Sequence, residues 1–437
     1  MKSNLEIITT RIKLYYYHLL ANYLRIKILP GEPACEINPQ NGLLFQNMNN
    51  TKGISFPEQA EVLVHLSPNY VVLNGNLHLE RDILSFFKAL HRHLKPATRI
   101  IIIYYSSLWK PIFILASRLG IRTRLPETNW LTTADITNFL ELSGYEMISD
   151  ESRVIAPLYI PLLSNFLNRW LAPLPLFNIF CMVHIMTAKP VQQVFSEKPS
   201  VSVVIPARNE AGNIEDAVNR IPTMGPDDEI IFVEGGSTDN TWETICDVKN
   251  RHENNKHIII AQQVGTGKED AVRKGFALAS KEILMILDAD LTVPPETLPQ
   301  FYRAIVDGKG EFINGSRLVY PMENRSMRFL NMVGNKFFAI AFTFALNQTF
   351  KDTLCGTKVL TRDNYSKIAE HRGFWGDFDP FGDFDLIFGA VRMDLKVREL
   401  PIAYRERTYG DTNISRWRHG WLLLKMSYYA LIKIKFV

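Results

Sequence analysis

Val201-Ser202-Val203-Val204-Ile205-Pro206 is an apolar run of strand length, followed at once by the polar segment Ala207-Arg208-Asn209-Glu210. A continuous apolar pattern, rather than an alternating one, is that of a strand buried on both faces, as in a parallel sheet covered by helices. Working outward, Glu229-Ile230-Ile231-Phe232-Val233 repeats the pattern and ends in the turn Glu234-Gly235-Gly236-Ser237-Thr238-Asp239-Asn240. Further strands are predicted over 257–261, 283–287 and 312–313, with amphipathic helices over 213–220 and 269–279. Alternating β and α segments imply an α/β fold: an open parallel sheet with its ligand site at the carboxyl ends of the strands.

Upstream, residues 189–199 interrupt two apolar runs with Lys189-Pro190, Gln192-Gln193 and Ser196-Glu197-Lys198-Pro199. The chain of 437 residues is therefore divided into two domains, 1–190 and 201–437, joined by a linker over 191–200. A formal charge of +4 is too small to argue for nucleic acid. Residues 405–437, however, hold seven basic side chains against two acidic ones. That basic, apolar-rich tail reads either as an amphipathic helix resting on an anionic membrane surface or as a solvated last helix packed on its domain. Cys35, Cys181, Cys246 and Cys355 share no metal-ligand spacing, which excludes a zinc site and suits a reducing compartment. The N-terminal apolar segment lacks a small-residue cleavage site, so no signal peptide is read. The greasy stretch 155–186 is broken by Asn165, Asn168, Arg169 and prolines, so a membrane span is not expected.

The residues that carry chemistry fall at predicted strand ends. Asp288 and Asp290 follow the strand at 283–287 with one residue between them. Their hard carboxylate oxygens suit Mg2+ or Mn2+, metals commonly shared with substrate phosphates. Gly265-Thr266-Gly267-Lys268 opens a helix, where free N–H groups and a lysine make an anion cradle. Asn314-Gly315-Ser316-Arg317, Asp352 to Lys358, Phe381-Gly382-Asp383-Phe384-Asp385 and Arg407-Thr408-Tyr409-Gly410-Asp411-Thr412-Asn413 follow in order.

That ordered set, over roughly 201–414, resembles the family 2 glycosyltransferases of the GT-A type, and is similar to the dolichyl- and polyprenyl-phosphate sugar synthases. The resemblance implies a GT-A domain, Rossmann-like with a mixed sheet, and a metal-dependent inverting transfer from a UDP- or GDP-sugar. In it Pro206, Glu210, Glu234 and Asp239 match positions that contact the base and ribose, although many relatives carry Asp where Glu234 stands. Lys268 matches a position lining the nucleotide site. Asp288 and Asp290 match the metal site, with Asp288 also meeting the donor. Arg317 and Arg407 match positions that meet phosphates, while Thr412 and Asn413 replace an expected Ser and Lys. Asp383, or Asp385 as second choice, matches the general base used for hydroxyl acceptors. The implied acceptor is a membrane lipid, a polyprenyl phosphate or a lipid-linked glycan of the cell envelope. The implied location is cytoplasmic, peripheral on the inner face of the cell membrane. A soluble acceptor and a non-catalytic nucleotide-sugar-binding scaffold are the rival readings.

In the first half, Ala34 to Leu44, Tyr70-Val71-Val72-Leu73-Asn74-Gly75, and the segments 90–103 and 130–146 resemble a class I methyltransferase, a family that binds S-adenosylmethionine. Only Gly42 remains of the glycine-rich turn, and few residues separate it from Tyr70. The resemblance therefore implies a degenerate, partial α/β domain kept as scaffold, with an active methyltransferase as the alternative.

Overall fold

The computed structural model describes residues 2–48, 51–122, 129–191, 195, 197–317, 319, 329–374, 384–405, 407, 409 and 416–437. The chain divides into two compact units, Met1–Gln192 with Leu431–Val437, and Gln193–Ala430. The division falls within the expected linker, but the last residues of the chain belong with the first unit.

The first unit is α/β. Its strands are β1 (Ala34–Ile37), β2 (Thr51–Ile54), β3 (Tyr70–Asn74), β4 (Arg99–Tyr105), β5 (Tyr145–Arg153) and β6 (Val183–Pro190), in the order β2-β1-β3-β4-β6-β5. The first four of that order run parallel, and β6 pairs antiparallel with both β4 and β5. The short space after Gly42 accommodates β2, a strand of four residues. Helix Ile83–His91 buries Phe86, Phe87 and Leu90, and helix Thr133–Leu142 buries Ile136 and Leu140 in the same core. The second of these starts with a full capping box between Thr132 and Asp135.

The second unit carries β7 (Val201–Ala207), β8 (Glu229–Glu234), β9 (His257–Gln262), β10 (Ile283–Ile286), β11 (Phe312–Ser316), β12 (Lys358–Thr361) and β13 (Val397–Pro401), in the order β13-β11-β12-β10-β7-β8-β9. The expected strands are present within a residue or a few. β12 lies antiparallel between β10 and β11, which makes the sheet mixed, as the resemblance implied. Alternation along β7 explains the two covered faces. Val201, Val203 and Ile205 meet helices Ile214–Arg220, Thr241–His252 and Leu298–Val306 in one core. Val204 points the other way, against helix Lys268–Leu278, where a Cβ on Gly275 would lie 2.3 Å from Val204 Cγ1. A side chain at 275 would hold that helix off the sheet. All four cysteines are free, and burial pushes the thiols of Cys35, Cys181 and Cys355 up to about 12, consistent with packing roles.

Candidate active site

Parallel pairing sets the carboxyl ends of β10, β7, β8 and β9 side by side, with Ile286 opposite Val204, Ala207 opposite Glu234, and Glu234 opposite Gln262. Antiparallel β12 brings its amino end, with Cys355-Gly356-Thr357 just before it, to the same rim. Sequence positions as distant as 207, 288 and 356 thereby meet.

Two carboxylates and two cations form the centre. Lys268, first residue of its helix, places Nζ 2.7 Å from Asp288 Oδ1. Arg407 places Nη2 2.6 Å from Asp290 Oδ2 and Nη1 3.4 Å from Glu210 Oε1. Desolvation works against the charge on Asp288, yet Lys268, with Lys358 and Arg317 behind it, holds that carboxyl below its usual range. Asp290 accepts from Thr292 N and Oγ1 at 3.2 and 2.9 Å, which fixes its direction. Burial pushes Glu210 up to about 7 against the pull of Arg407 and Asn213, and the charges of Asp290 and Asp288 add to the rise. Gly356 seals the other side: a Cβ there would lie 2.0 Å from Asp288 Oδ2 and 2.5 Å from Lys268 Nζ. Among the described residues no group of three or more His, Cys, Asp or Glu side chains makes a metal cage. The donors that fit a divalent ion are the oxygens of Asp288 and Asp290, hard ligands in number suited to an ion that keeps substrate oxygens and waters in its shell. Gly356 leaves that face of Asp288 without a side chain.

Around this centre the other expected residues differ in how they are engaged. Pro206 is paired with Val233 in the sheet, half-buried at the rim. Glu234 is buried and accepts from Ser237 N at 2.5 Å and Gln262 Nε2 at 3.3 Å, so it shapes the turn. Asp239 accepts from Thr241 N at 3.0 Å and from the Tyr409 hydroxyl at 3.5 Å. Asn209, held at φ 57°, ties the first turn to the second by accepting from Thr238 N at 2.8 Å.

Arg317 stands differently from the expectation. Its Nε and Nη2 grip Asp352 at 2.7 and 2.8 Å, fork to fork, and Asp352 is fully buried and also accepts from Asn335 at 2.9 Å. Here the arginine anchors the loop before β12. Asp385 likewise is engaged, with Arg372 Nε at 2.6 Å and Arg273 Nη2 at 3.4 Å on the same oxygen. Asp383, the first choice for a base, lies outside the described residues, as do Thr412 and Asn413.

Two participants were not singled out from sequence. Lys358, fully buried at the start of β12, donates to Cys355 O and contributes to the field on Asp288. Tyr409 lays its ring over Gly212, where a Cβ would meet Cδ2 at 2.6 Å. A lysine opening an apolar strand was the available signal for the first; the second carried none.

Residues 202–368 match the family model described as Glycosyl transferase family 2. The matched segment lies wholly within the second unit. Among curated relatives, the dolichol-phosphate mannosyltransferase of Pyrococcus furiosus is 36% identical over 219 residues, covering 49% of this chain and 59% of its own. The undecaprenyl-phosphate 4-deoxy-4-formamido-L-arabinose transferase of Salmonella paratyphi B is 34% identical over 226 residues, covering 50% of this chain and 63% of its own. The chain thus spans less than two thirds of the length of either relative. The solved glucosyl-3-phosphoglycerate synthase of Mycobacterium tuberculosis, in complex with Mn2+, UDP and glucosyl-3-phosphoglycerate, overlays with a TM-score of 0.37 at 16% identity, covering 54% of this chain and 80% of that one.

Proposed function

We propose that the glycosyltransferase domain moves a hexosyl group from a UDP- or GDP-sugar to a polyprenyl phosphate at a membrane surface. The observation that carries this reading is the paired arrangement Lys268–Asp288 and Arg407–Asp290 at the rim of β10. A diphosphate entering there exchanges carboxylate partners for its own oxygens on both cations, so the site is charged for a nucleoside diphosphate before it binds. Asp239, Glu210 and the turn held by Glu234 border the space on the β7–β8 side, where the nucleoside fits. A divalent cation, Mg2+ or Mn2+, held by Asp288 and Asp290 supplies neutralisation of the charge on the departing diphosphate when bound.

In the transfer, an acceptor phosphate oxygen attacks the anomeric carbon as its bond to the diphosphate breaks, with inversion. That oxygen is already anionic, so no side chain need remove a proton. The ion-paired state of Asp385 suits such an acceptor. Exposed apolar side chains support a lipid as its carrier: Phe337 and Ile340 on helix Phe329–Leu346, and Trp421, Leu424 and Tyr428 on helix Arg416–Ala430, which packs against it. No helix among the described residues is long and apolar enough to cross a membrane.

For the first unit the proposed role is structural. Tyr17 of helix Lys2–Lys27 lies by Glu36 and Asn74 at the ends of β1 and β3, its hydroxyl accepting from Asn41 Nδ2 at 2.7 Å, and Tyr16 meets Tyr105 at the end of β4. Buried Glu36 at the end of β1 accepts from Asn74 at 3.3 Å, and Gln40 and Tyr105 crowd Gly75.

The test is a mass-spectrometric screen of the full chain with UDP- and GDP-hexoses and a polyprenyl phosphate. A glycosyl phosphopolyprenol with release of the nucleoside diphosphate supports the reading. Transfer to a soluble sugar or glycerate derivative instead would reassign the acceptor.

A further inference from the structure

The segment between β5 and β6 is built inside out. Two of its polar side chains turn inward: Asn168 and Ser164 are buried, Asn168 both donating to and accepting from the Ala156 backbone at 2.8 Å, and Ser164 bridging Leu158 O at 2.6 Å and Ile160 N at 2.8 Å. Its apolar side chains turn outward. Leu162 and Leu176 are 89% and 80% exposed, more than any other large apolar side chain described in the first unit. Both also hold positive φ, 63° and 75°, with Leu162 at the centre of a tight turn closed by Leu163 N donating to Pro161 O at 2.7 Å. A leucine in that region costs on the order of 1–3 kcal/mol, which persists only where the surroundings impose it. A hydrogen-bonded frame that spends strain to present leucines to solvent is not explained by folding of the unit.

A second element extends the surface. Leu108, Ile112, Leu115 and Leu119, spaced at helical intervals along helix Lys110–Arg118 and its flanks, are all exposed. This is the reverse of an ordinary surface helix, whose apolar stripe faces the core. Trp109 joins the two elements by donating from Nε1 to Phe180 O at 2.9 Å. The N-terminal helix closes the group: Tyr15 meets Tyr159 edge-on at 5.3 Å, and Thr9 donates to Ile121 O at 3.2 Å. Every charge in residues 104–122 and 154–182 is positive, namely Lys110, Arg118, Arg122 and Arg169. Arg11 and Lys13 on the adjoining helix are exposed and positive as well.

We infer that this face of the first unit is a membrane-docking surface that inserts Leu162 and Leu176 into the acyl boundary of an anionic bilayer. A run of exposed apolar side chains, edged among the described residues of these segments by cations and by Trp109, Trp170 and Tyr159, matches an interfacial lipid surface in both its hydrophobic and its electrostatic demands. A protein partner of such chemistry would not call for uniformly positive flanks. The surface is separate from the transferase site and its donor, and it differs from the membrane contact expected of the basic tail. It does not depend on the transfer reaction proposed above.

Flotation of the full chain with phosphatidylcholine vesicles, with and without phosphatidylglycerol, tests the inference without any nucleotide sugar. Wild type floats with the anionic vesicles, and less so at high salt. The double variant Leu162→Asp, Leu176→Asp, with its first-unit melting transition retained, floats about tenfold less or worse. Leu142→Asp, at an exposed leucine at the far end of β5, floats as wild type. Equal flotation of the double variant and wild type overturns the proposal. So does a wild type that stays off the vesicles, whether it is monomeric or forms a dimer that the double variant dissociates.

Discussion

At the scale of single residues, charge placement distinguishes the two units. Lys268 and Arg407 each sit within 2.7 Å of a carboxylate at the β10 rim, an arrangement that polar ligands can remodel. Among the described residues Glu36 has no such cation. Burial pushes its carboxyl from the usual 4.5 up to about 7, with only Asn74 pulling back. The folded protein therefore binds that proton more tightly than the unfolded chain does. The cost of ionising it is absent below about pH 4.5, grows as pH rises, and is complete above about pH 7. Glu36→Gln is expected to stabilise the first unit at pH 8, by up to about 3 kcal/mol, and to change little at pH 5. Thermal melts at the two pH values check this, and destabilisation at pH 8 would show that the charged carboxylate has a partner. The residue types of the transferase centre were legible because a strand-end Asp-x-Asp and a helix-initial lysine have few other uses in that order. Their partners were not: nothing in Arg407-Thr408-Tyr409 states that its arginine returns to Asp290 and Glu210. The commitment of Arg317 to Asp352 was hidden for the same reason, since thirty-odd residues and a change of strand direction separate them.

At the scale of elements, the second unit was read nearly strand for strand along β7 to β11, because continuous apolar runs flanked by turn residues have one common meaning in an α/β chain. β12 was missed. Lys358–Thr361 is four residues long and opens with a lysine, so periodicity gives it no signature; only its pairing with β10 and β11 defines it. The same brevity hid β2. Helix Lys268–Leu278 shows how an element carries the site. It lies on β7 through Gly275 and presents Lys268 from its first turn. Gly275→Ala forces the helix from Val204 and is expected to cost about 1–3 kcal/mol, while weakening nucleotide-sugar binding by shifting Lys268. Chemical denaturation and donor titration measure the two effects. Unchanged stability would mean that the sheet yields at no cost.

At the scale of the whole molecule, the chain's end changes meaning. The basic tail read from composition is divided: residues up to Ala430 stay with the second unit, and only the last seven leave it. Leu431–Val437 belongs to the first, where Arg153 donates to Lys435 O at 2.6 Å and Ile434 O at 3.1 Å, and Trp170 stacks with Phe436 at 5.2 Å. Burial works against Glu151, but Arg153, Lys27 and Lys435 hold it down at about 2, and burial lowers Lys435 to about 8. A chain ending at Ala430 leaves the buried Arg153 guanidinium without those two carbonyls, at about 1–3 kcal/mol for each unmet donor. Its first-unit melting transition is expected to fall by several degrees, read by calorimetry; an unchanged transition would detach the tail from the stability of that unit. Composition could not place these residues because their basic charge serves an internal cluster. The proposed transfer depends most heavily on the paired carboxylates at the β10 rim. Its most direct test is the rate of nucleoside diphosphate release from the donor, in the presence of polyprenyl phosphate and Mn2+, by wild type and by Asp290→Asn. The account predicts cation-dependent release that Asp290→Asn lowers by at least about a hundredfold with folding intact; release at the wild-type rate by the variant would contradict it.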